Sequence, residues 1–132
     1  MPQVAVLIAA SPNAAFFSQI AALSLSLREL PWRRWKVSVH VYLGGAGDPA
    51  ALEAWAPHLG DVELNRVADD DGGDGFWAQS DAVFESAPAD ADVLLAMDAD
   101  TFAVASLEEV LESVVDTASV AGVIAHLSLI HI

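Results

Sequence analysis

The sequence predicts an α/β fold built on a largely parallel sheet, and three observations lead there. Strand-like and helix-like segments alternate along the 132 residues. The first strand-like run, Val4 to Ala10, is apolar at every position, as expected of a strand covered on both faces. A second run, Val93-Leu94-Leu95-Ala96-Met97, ends in Asp98-Ala99-Asp100-Thr101, and open parallel sheets present their ligand sites at such strand ends.

Each element has a local reason. Ser11-Pro12-Asn13 breaks the first strand and offers a helix cap. Phe16, Ile20, Leu23, Leu27 and Leu30 recur at helical spacing until Pro31 stops the helix. Val37, Val39 and Val41 alternate with Ser38, His40 and Tyr42 in a second strand ending at Gly44-Gly45. Asp48-Pro49 is a cap and first-turn pair for a short helix carrying Leu52 and Trp55, limited by Pro57. A short strand near Val62 to Val67 leads into the acidic, glycine-rich loop Asp69 to Gly75. A helix through Phe76, Ser80, Val83 and Phe84 ends before Pro88, and the Val93 to Met97 strand comes next. Ser106 and Glu109 have capping-box spacing for a helix whose buried stripe is Leu107, Val110, Leu111, Val114 and Val115. Val120 to Ala125 reads as a fifth strand.

Composition narrows the function. Hydrophobic residues make up 55% of the chain, which excludes disorder, and the length suits one domain. The net charge is −14, with Arg28, Arg33, Arg34, Lys36 and Arg66 the only bases, so nucleic-acid binding is not expected. There is no cysteine, which removes disulfides and thiolate metal sites and points to a cytoplasmic protein. The apolar N-terminus lacks the charged start of a signal peptide, and Pro12 cuts it well short of the ~20 residues of a membrane span. These features point to a soluble protein, although the mean hydropathy of +0.44 would tolerate a membrane-proximal location.

Two carboxylates one residue apart, just past a buried strand, suit a hard cation carrying a diphosphate. Strand side chains alternate, so Asp98 and Asp100 converge on one Mn²⁺ or Mg²⁺ if the chain stays extended through Ala99. The crossover rule makes the end of the first strand (Ala10, Ser11) their neighbour at the point where strand order reverses.

The stretch VLLAMDADT resembles the DxD signature of nucleotide-sugar glycosyltransferases of the GT-A fold, and FAVASLEEVLE resembles the segment after the motif in that family. The resemblance covers roughly residues 4 to 126. It implies a Rossmann-like, mostly parallel sheet flanked by helices, with residues 1–126 forming the nucleotide-sugar-binding half of a GT-A domain. It further implies transfer of a sugar from a nucleotide-diphosphate donor to an unknown acceptor. Asp100 would coordinate the metal directly, and Asp98 would bind it, directly or through water, or meet a ribose hydroxyl. Ser11, with the backbone around Ala10, would line the base and ribose side, and Gly44 and Gly45 would let backbone approach the nucleotide.

Two departures stand out. Members of that family often carry a base near the motif, whereas the helix before it here offers Trp77, Gln79, Ser80 and Asp81. The half of the family's fold that supplies the catalytic base and acceptor site has no counterpart, so no catalytic residue is assigned and this chain alone is expected to be inactive. Leu127-Ser128-Leu129-Ile130-His131-Ile132 reads as the translation of a transposase adapter from a sequencing library, which would end the native sequence near His126 in a truncated frame; the alternative is a natural strand extension, which the alternation of Leu127, Leu129 and His131 also fits.

Other signals rank lower. An EF-hand loop starting at Asp69 would need glycine where Asp74 stands. A haloacid dehalogenase-like phosphatase would place its DxD on the first strand and not set Phe102 after it. His40, His58 and His126 lack ligand spacing, and Trp32, Trp35, Trp55 and Trp77 read as packing residues. The alternative to an enzyme is a non-catalytic α/β nucleotide-binding or interaction domain in which the acidic pair merely starts a turn.

Overall fold

In a computed structural model, described for residues 1–45, 47–67 and 83–117, four strands form one parallel sheet. The strands are β1 (Gln3–Ala10), β2 (Lys36–Leu43), β3 (Val62–Arg66) and β4 (Val93–Ala96), in the order β3-β2-β1-β4. Helices α1 (Ala14–Glu29), α2 (Pro49–Trp55) and α3 (Glu108–Thr117) complete the described elements, with a 3₁₀ turn at Ala56–His58. The fold is α/β and Rossmann-like, as the alternation of segments predicts. No helix among the described residues is long and apolar enough to cross a membrane.

Strand β1 is central, and Val4 to Ile8 are at most 1% exposed. Its two faces meet different partners. Val6, Ile8 and Ala10 pack with Val39 and Val41 of β2 beneath Phe17, Ile20, Leu23 and Leu27 of α1. Ala5 and Leu7 face the other way, with Tyr42 and Val83. The β1–β2 and β2–β3 connections therefore cover one face. The residues leading into β4, including Val83, Ala87 and Ala91, lie on the other. Right-handed crossovers require this change of face when the chain steps back past β1.

Local chemistry sets the helix ends. Asn13 Oδ1 accepts the Phe16 N–H at 3.0 Å and starts α1, and Asp48 Oδ1 does the same for Ala50 in α2. Pro57 falls within the 3₁₀ turn that ends α2. Within α1, Phe17 is fully buried and Phe16 only half-buried, so the apolar stripe is offset by one residue from the expected start.

Helix α3 departs more from expectation. It begins at Glu108, and Ser106 Oγ accepts the Glu108 N–H at 3.3 Å. The carboxylate put to use is Glu108, not Glu109. Glu108 Oε1 accepts the backbone N–H groups of Arg33 and Arg34 at 2.7 Å each and of Trp35 at 3.2 Å, and Arg34 reaches Oε2 at 3.6 Å. Arg34 also pairs with Glu112. Of the expected stripe, Leu111 is buried against Val4 and Trp35, whereas Val110 and Val115 are at least half exposed. A buried acid thus replaces part of an apolar face.

Three expectations lie outside the described residues: the Asp69–Gly75 loop with most of the helix after it, the fifth strand at 120–125, and the segment 127–132. His126 and Trp77 fall there too.

Packing and burial make two changes informative. Phe17→Ala should destabilise the fold by about 3–5 kcal/mol and Phe16→Ala by clearly less, as read by urea unfolding. For Glu108, burial pushes the carboxyl up, but the N–H groups of Arg34, Arg33 and Trp35 and the Arg34 charge outweigh it and hold it below the ordinary carboxylate value. A carboxyl held low when folded contributes stability at neutral pH that is lost as pH falls through the folded value. Glu108→Gln should therefore lower the urea midpoint at pH 7 and flatten its decline on acidification. An undiminished decline would assign the acid sensitivity to other carboxylates.

Candidate functional site

The carboxyl ends of all four strands meet along one edge of the sheet. The Met97 N–H donates to Leu7 O at 3.0 Å, so β4 stays registered on β1 up to the acidic pair. The chain then turns. Thr101 donates to Asp98 O through its N–H at 3.2 Å and through its hydroxyl at 2.6 Å, closing a four-residue turn. This corrects the expectation of an extended chain through Ala99. Asp98 and Asp100 are exposed while Ala99, 4% exposed, packs into the core under α1. The buried methyl of Ala99 fixes the turn, and the turn presents both carboxylates on its outer side.

The ends of β1 and β2 are tied together. The Gly44 N–H donates to Ala10 O at 3.1 Å and the Asp48 N–H to Pro12 O at 3.0 Å. Ala10 and Gly44 are buried and commit these backbone groups to each other; Ser11 is half-buried at the rim. Gly45 has φ +82°, a conformation that favours glycine, with open space where a Cβ would stand. Gly47 answers a different need: a Cβ there would lie 2.1 Å from Pro12 Cγ and 2.5 Å from Pro12 O. Ala10, Ser11, Gly44 and Gly45 thus share one edge with Asp98 and Asp100, and β1 and β4 are the neighbours at which the connections change face.

Arg66 was not singled out by sequence, and it is the base of this edge. It is exposed at the end of β3, opposite Leu43, and makes no ion pair among the described residues. Arg33, Arg34 and Lys36 lie at the other end of the sheet, where β2 begins, and the Arg28 guanidinium lies against Gly60 just before β3. A cavity of about 210 Å³ adjoins Arg66 and is lined by Pro12, Leu43, Gly47, Leu52 and Asn65 among others. The signal available from sequence was position: of five bases, only Arg66 closes a strand. A larger cavity of about 340 Å³ lies at the opposite end, beside Pro2, Trp35 and Asp92. Its one base, Arg34, is engaged by Glu108 and Glu112.

The donor set at the acidic turn is all oxygen. Two exposed carboxylates fit a hard cation that keeps most of its coordination for phosphate and water. No group of three or more metal-ligating side chains occurs among the described residues.

No family model matches the chain, and no curated protein does. Among solved structures it is similar to the crystal structure of S. aureus TarS 1–349, a glycosyltransferase, with a TM-score of 0.58 and 15% identity over 96% of this chain. The chain spans 39% of the length of that one. At this identity the likeness bears on the fold.

Because Pro12 and Gly47 hold the β1 and β2 loops against each other, Gly47→Ala should destabilise the protein by about 1–3 kcal/mol. Amide exchange should rise at Asp48, whose N–H bridges the two loops, and unchanged protection there would refute the role given to Gly47.

Proposed function

We propose that the chain is the donor-binding part of a glycosyltransferase that uses a nucleoside-diphosphate sugar. The observation that carries this reading is the exposed acidic turn Asp98–Thr101 at the β1–β4 switch point, in a chain whose fold is similar to that of a glycosyltransferase. Open parallel sheets bind ligands in that crevice.

Asp100 holds Mn²⁺ or Mg²⁺ directly, and Asp98 holds it directly, through water, or meets a ribose hydroxyl. The bound cation supplies neutralisation of the charge that grows on the leaving diphosphate. The spacing of the strands sets the footprint. From β3 to β4 is three strand intervals, about 14 Å, comparable with an extended nucleoside diphosphate. The diphosphate then lies at the acidic turn, and the ribose passes Ser11 at the rim. The nucleoside end reaches the cavity beside Pro12 and Asn65, where Arg66 donates hydrogen bonds to it. Arg66 also offsets part of a charge of −14 that would otherwise repel an anionic donor.

Calorimetric titration of the 132-residue chain with UDP and GDP tests the reading. Binding should require Mn²⁺ or Mg²⁺, disappear with EDTA, and be lost in Asp100→Ala. Arg66→Ala should weaken it roughly tenfold to hundredfold, the worth of a charge-assisted hydrogen bond. Binding that ignores both the metal and Asp100→Ala would instead support a nucleotide-binding domain in which the acidic pair only shapes a turn.

A further inference from the structure

The sheet face opposite α1 carries a second arrangement of reactive groups, separate from the acidic turn. Ser38 and His40 are two apart on β2 and therefore share that face. Ser38 Oγ lies 2.8 Å from His40 Nε2, and His40 Nδ1 lies 3.1 Å from Glu63 Oε2 of β3, with His40 and Glu63 directly paired in the ladder. The imidazole is 7% exposed, Ser38 is exposed, and the Glu63 side chain is two-thirds exposed.

These contacts define the proton positions. In the neutral imidazole with Nδ1–H donating to Glu63, Nε2 accepts from the Ser38 hydroxyl. A buried imidazole needs partners at both nitrogens. The partners here are a hydroxyl open to solvent on one side and an orienting carboxylate on the other. Nucleophile, base and orienting acid within hydrogen-bond reach, in that sequence, are the geometric requirement for an activated serine.

We propose that Ser38, His40 and Glu63 form a nucleophilic relay and that Ser38 attacks activated carboxylic esters. Ser38 Oγ bonds to the ester carbon as its proton passes to His40 Nε2. The bond to the leaving alkoxide breaks, and that oxygen takes the proton from Nε2. Water then attacks the acyl-serine by the same route, releasing the carboxylic acid and restoring the hydroxyl. Glu63 holds the imidazole in orientation and is a positioning residue. An ester with a good leaving group is the fitting substrate, because it demands the least stabilisation of a developing oxyanion.

The test treats the 132-residue chain with a fluorophosphonate and, separately, with p-nitrophenyl acetate. With the first reagent Oγ bonds to phosphorus, fluoride departs, and the proton leaves through His40. Peptide mapping should locate the phosphonyl group on Ser38, and Ser38→Ala should abolish both this label and the ester cleavage. His40→Gln should slow labelling by about 100-fold or more, as loss of a general base does. Glu63→Gln should slow it at least about tenfold without shifting thermal unfolding, since Glu63 is largely exposed.

Among the described residues, the titratable groups facing His40 are Glu63 and, on its own strand, Tyr42; from β1 it meets Leu7. An unlabelled Ser38 in cooperatively folded protein would overturn the proposal. So would a parental labelling rate in Glu63→Gln, even if His40→Gln fails to fold.

Discussion

Parallel pairing of β1 on both sides is the constraint on which this structure depends. β1 hydrogen-bonds β2 along eight residues and β4 along four, and side chains cover it above and below. A strand in that position has no face left for water, so its sequence is an unbroken apolar run. Because β2 and β4 flank it, the connections on either side must leave by opposite faces. The crevice that results is a product of handedness, not of any single side chain.

Charge is sorted along the strand axis in the same frame. The acidic turn after β4 and Arg66 at the end of β3 bracket one edge. The opposite edge gathers Arg33, Arg34 and Lys36 at the start of β2, and Arg34 is committed to ion pairs. Arg34 is held by Glu112 and Glu108, and its guanidinium is driven more strongly basic first by the Glu112 hydrogen bond and charge. A base spent on an ion pair cannot also meet a phosphate. In a chain with five bases against nineteen acids, Arg66 is the one base at the edge that carries the acidic turn.

Glu108 shows how tertiary structure can redirect a local motif. Ser106 and Glu109 have capping-box spacing, yet Glu108 is drawn inward by three backbone N–H groups of residues 33–35 that no helix or strand satisfies. A carboxylate that answers three backbone donors outcompetes a reciprocal cap at the surface. Burying Glu108 then turns Val110 and Val115 outward, so the helical period was right and its phase was not. Phe16 and Phe17 differ for a related reason: neighbouring aromatics both fit the spacing, and only the angle at which α1 crosses the sheet selects one.

Within the described residues the sequence by itself determined the strands and helices, their order and the parallel sheet, because these rest on periodicity, caps and proline, all local in the chain. It also marked the acidic pair, since strand ends are where such sheets present ligands. Tertiary structure alone decided that Asp98 and Asp100 sit on a turn anchored by Ala99, that Gly47 answers to the close approach of Pro12, and that Arg66 shares their edge. It likewise joined Ser38 and His40 to Glu63, on the neighbouring strand, through strand register. Each of these rests on contacts between segments far apart in sequence, and the spacing of residues along one segment carries no record of what the neighbouring strand places beside it.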